Sequence, residues 1–258
     1  ESKKIFWIIL KLKHFIYLVL LAFIASFIII NQNKDVAITD SVSGFYFKPF
    51  NLILNNSNDN ILYTLDGSNP TSKSKKFTNQ LLITGNECYD SLSFINTTID
   101  DSVANFGWRI PIKIQDKATV IKYAKFKNGS IKTEIKTLSF FINPKIISED
   151  SKLNKYKLPV ISISTDKKNL YSDKDGLFIA GNNMNTSKIN SGNYFKRGRD
   201  FEREVYFQYF DKYGELDFEL NIGMRIHGGI TRRNPQKSLK FYARQEYGKT
   251  KINLPFLA

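Results

Sequence analysis

Hydrophobic and polar residues alternate with a period of two along most of the chain after residue 31. Runs of this kind are Ile61–Leu65, Thr119–Phe126 and Arg203–Phe210. The pairs Asp66-Gly67 and Asn128-Gly129 interrupt the runs, and such pairs favour tight hairpin turns. No clear amphipathic helix is predicted in this part. The pattern therefore predicts a mostly β protein built from short strands.

Residues 5–30 differ because they are strongly apolar, with Lys11, Lys13 and His14 dividing the run. The run from Leu12 to Ile30 comes close to the roughly 20 residues that a helix needs to cross a bilayer. Lysines precede this run and polar residues follow it, so the positive-inside rule places the rest of the chain outside the cytoplasm. We expect residues 1–30 to be a single-pass membrane anchor. A cleaved signal peptide, and hence a secreted protein, is the alternative.

Residues 36–145 are predicted to form a β-sandwich, because strand-like runs and turn signals recur at short spacing. The sequence Ile61-Leu-Tyr-Thr-Leu-Asp-Gly-Ser-Asn-Pro-Thr71, with Gly44-Phe-Tyr46 and Val120–Gly129, resembles the chitobiase/β-hexosaminidase C-terminal module. The resemblance implies an immunoglobulin-like sandwich with an accessory role. About 30 extra residues near 85–111 are expected to be an inserted loop.

The stretch Gly223–Tyr247 predicts two strands joined by a basic turn. Met224–His227 alternates, Gly228-Gly229 ends the strand with φ above zero, and alternation resumes over Lys237–Arg244. Arg232 and its neighbours are expected to form an exposed cationic loop. Backbone N–H groups and basic side chains facing one small volume would make a phosphate cradle. A solvated basic hairpin without a ligand is the alternative.

The same stretch resembles the signature of the spore-coat protein H (CotH) kinase family, in Arg225-Ile-His-Gly-Gly229 and Pro235–Arg244. Upstream blocks, Leu158–Asp166 and Arg203–Gly214, agree in order. The resemblance extends over residues 158–258. It implies the incomplete α+β N-lobe of an atypical protein kinase that transfers phosphate from ATP, with Mg²⁺, to Ser of secreted or surface proteins.

The resemblance also implies roles for five residues. Gly228 and Gly229 would let the backbone approach the phosphates, and Arg225 would orient the loop or neutralise charge. Lys237 or Lys240 would pair with phosphate. Because these two lysines are three positions apart, they are expected on opposite faces of a strand, and we favour Lys240.

The family's metal-binding and catalytic carboxylates lie downstream of this signature. We therefore expect them beyond Ala258, in a longer protein of which this chain is a fragment without activity of its own. No catalytic or metal-binding residue is assigned within the 258 residues.

Charge and composition narrow the possible partners. The net charge of +14 favours anionic partners, and no nucleic-acid motif is present, so we expect no nucleic acid. Cys88 is the single cysteine, and His14 and His227 are far apart, which excludes a zinc site built from Cys and His. Residues 182–199, rich in Asn, Ser, Gly and basic residues, are expected to be a surface loop.

A non-catalytic function is the alternative to the kinase. The protein would then be tethered to the membrane at the cell surface, where its sandwich binds a polysaccharide or serves as a structural scaffold.

Overall fold

The structure is a computed structural model, and it describes residues 37–38, 42–54, 60–84, 95–97, 118–142, 158–188 and 190–248. The chain divides into two compact units, Glu1–Ile38 and Thr39–Ala258. The membrane span predicted over residues 12–30 lies outside the described residues. Within the ranges that are described, no helix is both long enough and apolar enough to cross a membrane.

The described residues are mostly β with little helix, as predicted. The strands are β1 (Ala37–Ile38), β2 (Gly44–Tyr46), β3 (Phe50–Leu52), β4 (Ile61–Thr64), β5 (Lys75–Lys76), β6 (Leu81–Ile83), β7 (Thr119–Lys127), β8 (Ser130–Ile131), β9 (Lys136–Ile142), β10 (Val160–Ser164), β11 (Arg203–Phe210), β12 (Leu216–Ile226) and β13 (Leu239–Tyr242). The helices are α1 (Lys167–Tyr171) and the 3-10 turns Gly181–Asn183, Asn193–Phe195, Arg199–Phe201, Ile230–Arg233 and Gln245–Tyr247.

The strands before residue 143 form the predicted β-sandwich. One sheet has the order β2-β9-β7-β4-β5, with β8 paired to β7, and β3 pairs with β6 in the other. Phe50 on β3 and Phe140 on β9 meet edge to face across the sheets, with ring centroids 5.2 Å apart. The Asn128-Gly129 turn has φ values of 53° and 75°, which fits a tight hairpin. Asp66 accepts a hydrogen bond from the Ser68 amide at 3.0 Å, so its carboxylate serves the turn.

Strands β10-β11-β12-β13 form a separate antiparallel sheet. Residues paired across antiparallel strands share a face. One face is apolar, and its buried members include Val205, Phe207, Leu220, Ile222, Met224 and Ile226. The opposite face, here called the polar face, carries Ser162, Tyr206, Gln208, Glu219, Asn221, Gly223, Arg225, Lys240 and Tyr242. The α+β kinase-like lobe stays a prediction, since α1 is only five residues long.

In the segment predicted as a surface loop, residues 185–188 and 196–199 are exposed, as predicted, but residues 191–194 are buried, and Tyr194 packs in the core on the apolar face. Tyr194 and Asn193 are each only 1% exposed. The Asn193 amide donates to the carbonyl oxygens of Ser172 and Asp173, at 3.3 and 3.1 Å. The sequence did not indicate this burial, because the carbonyl oxygens that offset the cost of burying Asn193 come from residues about 20 positions away.

The sandwich docks on the polar face of the four-stranded sheet. Gln208 is 1% exposed, and its Nε2 donates to Ser43 Oγ and Glu219 Oε2, both at 2.8 Å. Its Oε1 accepts from Ser139 Oγ at 2.6 Å, and Ser139 Oγ lies 3.1 Å from Ser162 Oγ. This buried network fixes the sandwich to β10, β11 and β12.

Aromatic rings extend the junction beside that network. Phe45 and Phe141 stack at 4.7 Å between centroids, and Phe210 meets both rings edge to face at 5.7 and 5.4 Å. The sandwich and the sheet thus share one buried interface.

Candidate functional site

The glycine turn after β12 has two different conformations. Gly228 has φ of +107°, and a Cβ there would lie 2.4 Å from Thr231 Oγ1, so glycine is required. Gly229 has φ of −98°. A Cβ on Gly229 would meet no heavy atom within 4 Å. The predicted positive φ is therefore confirmed for Gly228 and wrong for Gly229, whose role is limited to leaving the backbone accessible.

Arg232 departs from the predicted exposed cationic loop. Residues 230–233 form a 3-10 turn in which Arg232 is 6% exposed. Its Nε donates to Gly228 O at 2.7 Å, and its Nη1 donates to the carbonyl oxygens of Tyr194 and Lys196 at 3.1 Å each. Arg232 therefore ties the glycine turn to the packed segment before β11, because three backbone carbonyls satisfy its guanidinium.

Lys237 points back into the turn. It precedes β13, which begins at Leu239 and is thus shorter than the predicted strand. The Lys237 amine donates to the carbonyl oxygens of Arg232 and Asn234 at 3.0 and 2.8 Å, and lies 4.2 Å from the centroid of the Tyr194 ring. Burial lowers the pKa of Lys237 to about 7. These contacts hold the Lys237 amine inside the loop that residues 232–237 form.

Lys240 lies on β13, whereas Lys237 precedes the strand, so the prediction that the two lysines occupy opposite faces of one strand does not apply. Lys240 is exposed on β13, in register with Arg225 of β12, and its amine is 5.6 Å from the centroid of the Tyr242 ring. Of the two predicted phosphate-pairing lysines, Lys240 is therefore the accessible one.

Arg225 reaches a carboxylate that the sequence did not indicate. Its Nε donates to Glu202 Oε2 at 2.7 Å, and its guanidinium carbon lies 4.2 Å from the centroid of the Tyr242 ring. Arg244 donates from Nε to Glu202 Oε1 at 2.7 Å and from Nη2 to Oε2 at 3.0 Å. Tyr247 donates its hydroxyl to Oε1 at 3.1 Å. These five residues are called the Glu202 cluster below.

The environment of Glu202 keeps its carboxylate ionised. Its side chain is 1% exposed, and burial alone would raise the pKa. The hydrogen bonds from Arg244, Arg225 and Tyr247 outweigh burial and lower the pKa of Glu202 to about 2. Gly223 makes room for this side chain, since a Cβ there would lie 2.5 Å from Glu202 Oε1.

The sandwich also reaches the basic turn. Thr97, in the inserted stretch of residues 85–111, donates its hydroxyl to Pro235 O at 3.0 Å. Of that insertion only residues 95–97 are described. The loop between Arg232 and Lys237 is thus held by the sandwich as well as by its own side chains.

The arrangement suits a phosphate group better than a metal ion. Arg225 and Lys240 lie opposite each other on β12 and β13 and both carry positive charge, which a phosphate group requires. In the part of the chain that the structure describes, no three His, Cys, Asp or Glu side chains are grouped so that they could hold a metal ion. The described residues therefore offer cations that suit a phosphate group and no carboxylate group that suits Mg²⁺.

Comparison with known families identifies the sandwich. Residues 41–137 match the family model of the chitobiase/beta-hexosaminidase C-terminal domain. No curated protein and no solved structure matches the chain. The resemblance of residues 158–258 to the CotH kinase family stays a prediction.

Proposed function

We propose that the chain belongs to a membrane-anchored, extracytoplasmic, CotH-like atypical protein kinase with an accessory sandwich. The reaction would be ATP-dependent phosphoryl transfer to Ser of secreted or surface proteins. The observation that supports it is that Arg225 and the exposed Lys240 lie opposite each other on neighbouring strands of the polar face. Phosphoryl transfer depends mainly on positioning and on charge stabilisation of this kind.

In this proposal each residue has a limited task. Lys240 would pair with a phosphate oxygen as a point charge, and Arg225, already fixed by Glu202, would offer its remaining N–H groups. Gly229 would allow the backbone to approach, since no atom fills the space of a Cβ there. ATP supplies the phosphoryl group when bound. These residues bind or orient phosphate, and none of them acts as a catalytic carboxylate or as a metal ligand in the proposal.

The test compares the two lysines in the complete protein. Lys240→Ala should reduce phosphoryl transfer far more than Lys237→Ala, because the Lys237 amine is held by two carbonyl oxygens inside the turn. Lys127→Gln, an exposed change at the end of β7, is the matched control. Equal and negligible losses from both lysine changes in an active enzyme would remove this hairpin from the active site.

The location is part of the same proposal. A helix over residues 12–30 would leave residues 31–258 outside the cytoplasm, and a cleaved signal would release the protein instead. Protease added to intact cells should digest the sandwich. Full protection of residues 31–258 would contradict this topology.

A second candidate function is a non-catalytic surface protein that binds polysaccharide or acts as a scaffold. The match of residues 41–137 to a hexosaminidase-associated module favours it. The two candidates differ in nucleotide dependence. Binding to polysaccharide without any ATP binding by the complete protein would support the second and contradict the first.

A further inference from the structure

The Glu202 cluster contains more positive charge than its carboxylate needs. The ionised carboxylate of Glu202 forms ion pairs with Arg225 and Arg244. Arg199 Nη1 lies 3.9 Å from Glu202 Oε1. Lys240 lies beside the ring of Tyr242. Glu246 is a second carboxylate, and it accepts a hydrogen bond from Arg199. Three arginines therefore pair with the two carboxylates, and Lys240 is a fourth cation beside Tyr242. A purely structural ion pair would need only one arginine for each carboxylate, so the surplus favours an anion at this place.

The two guanidinium groups are held in a fixed orientation. Each arginine uses its Nε and Nη2 on Glu202, and each lies against the Tyr242 ring, at 4.2 Å for Arg225 and 4.8 Å for Arg244. Among the described residues, Nη1 of each arginine has no hydrogen-bond partner. The arginine side chains are partly exposed, at 18% and 29%, whereas Glu202 is buried. The carboxylate of Glu202 that accepts these bonds is buried, and the two arginines that donate them are partly exposed. The remaining N–H groups of the arginines therefore point away from the carboxylate.

We infer that Glu202 is a positioning residue and that Arg244, with Arg225 and Lys240, forms a subsite for an anion that carries several phosphate groups. The remaining N–H groups of two fixed guanidinium groups, together with one flexible amine, can contact separate phosphates of one chain. This inference rests in part on the proposed function, since a nucleotide is one source of such an anion. Free inorganic polyphosphate is the other.

The experiment measures binding to the whole 258-residue chain by titration calorimetry, with inorganic tripolyphosphate as the probe. Arg244→Gln should weaken tripolyphosphate binding by about tenfold or more, since bonds to charged groups of this strength are lost. It should also reduce the salt dependence of binding. Lys127→Gln removes the same charge from an exposed site away from the cluster and should change affinity less than about twofold.

Arg244→Lys separates positioning from simple charge. Lysine keeps the positive charge but cannot make the paired bonds to Glu202, so we expect it to recover only part of the affinity. An Arg244→Lys protein that binds like the native one would overturn the positioning role of Glu202. A folding check by circular dichroism excludes a loss of binding that follows from unfolding. If the folded Arg244→Gln and Lys127→Gln proteins bind tripolyphosphate with equal affinity, the subsite itself is overturned.

ATP titrations distinguish this inference from the proposed function. Tighter binding of ATP than of tripolyphosphate, with both weakened by Arg244→Gln, supports the subsite and the kinase together. Binding of tripolyphosphate to the 258-residue chain, with no binding of ATP by the complete protein, supports the subsite and contradicts the kinase. Loss of ATP binding in Lys240→Ala but not in Arg244→Gln overturns the subsite and leaves the kinase standing.

Discussion

The two ends of the polar face of the four-stranded sheet use opposite chemistry. At one end, Gln208 meets the sandwich through the neutral hydroxyl groups of Ser43 and Ser139, and it also donates to the Glu219 carboxylate of β12. At the other end, Glu202 holds several cations, and part of their surface stays exposed. The first end seals an interface at low cost. At the second end, the arginines keep positive charge and N–H groups that Glu202 does not use, and a binding site for an anion requires both.

The largest expected effect breaks the charged end. Glu202→Gln removes the negative charge and leaves Arg225 and Arg244 facing an amide, so we expect a loss of about 3–5 kcal/mol in the free energy of unfolding. Urea denaturation measures it. Glu246→Gln is the control, because its exposed pair with Arg199 should contribute about 1 kcal/mol or less. Equal losses from the two changes would contradict the role given to Glu202.

The pH dependence of stability sharpens the same prediction. The pKa of Glu202 falls from an ordinary value of 4.5 to about 2 in the folded protein. A carboxyl group with a lowered pKa stabilises the fold above its unfolded pKa, and this contribution is lost as the pH falls from about 4.5 through about 2. Glu202→Gln should flatten the stability curve in that window.

The second expected effect breaks the neutral end. Gln208→Met keeps the size of the side chain but leaves Ser43, Ser139 and Glu219 without their buried partner. We expect a loss of about 1–3 kcal/mol, the usual cost of unpaired buried polar groups. Gln245→Met, at an exposed position, should change stability by about 0.5 kcal/mol or less. Thermal unfolding of both variants checks the difference, and a stable Gln208→Met protein would show that the network contributes nothing.

Local sequence signals predicted the strands and turns well because their causes are local. Alternation indicated β11 and β12, and the Asn128-Gly129 pair indicated a hairpin that the positive φ values confirm. The strand predicted from Lys237 begins only at Leu239, since the lysine amine caps carbonyl oxygens of the preceding turn.

The candidate site was predicted only in part because its central group depends on distant residues. Glu202 lies 23 positions from Arg225 and 42 from Arg244, and no periodic pattern connects them. The local signature contained both arginines but not the carboxylate that orients them. The burial of Tyr194 within a polar segment was hidden for the same reason, because its packing comes from β11 and β12.

The smallest expected effect concerns two glycines beside the charged end. A Cβ on Gly223 would lie 2.5 Å from Glu202 Oε1 and 2.6 Å from Tyr247 Cε2, whereas a Cβ on Gly229 would meet nothing within 4 Å. Both contacts at Gly223 are side-chain atoms that can shift, so Gly223→Ala should cost about 1–2 kcal/mol. Gly229 has negative φ, and Gly229→Ala should cost about 0.5 kcal/mol or less.

Thermal unfolding measures both, and tripolyphosphate titration adds a second comparison. Gly223→Ala displaces the carboxylate and should weaken binding through the arginines, whereas Gly229→Ala should weaken it only if the anion approaches the turn. Weaker binding in Gly229→Ala alone would move the anion from the Glu202 cluster to the glycine turn.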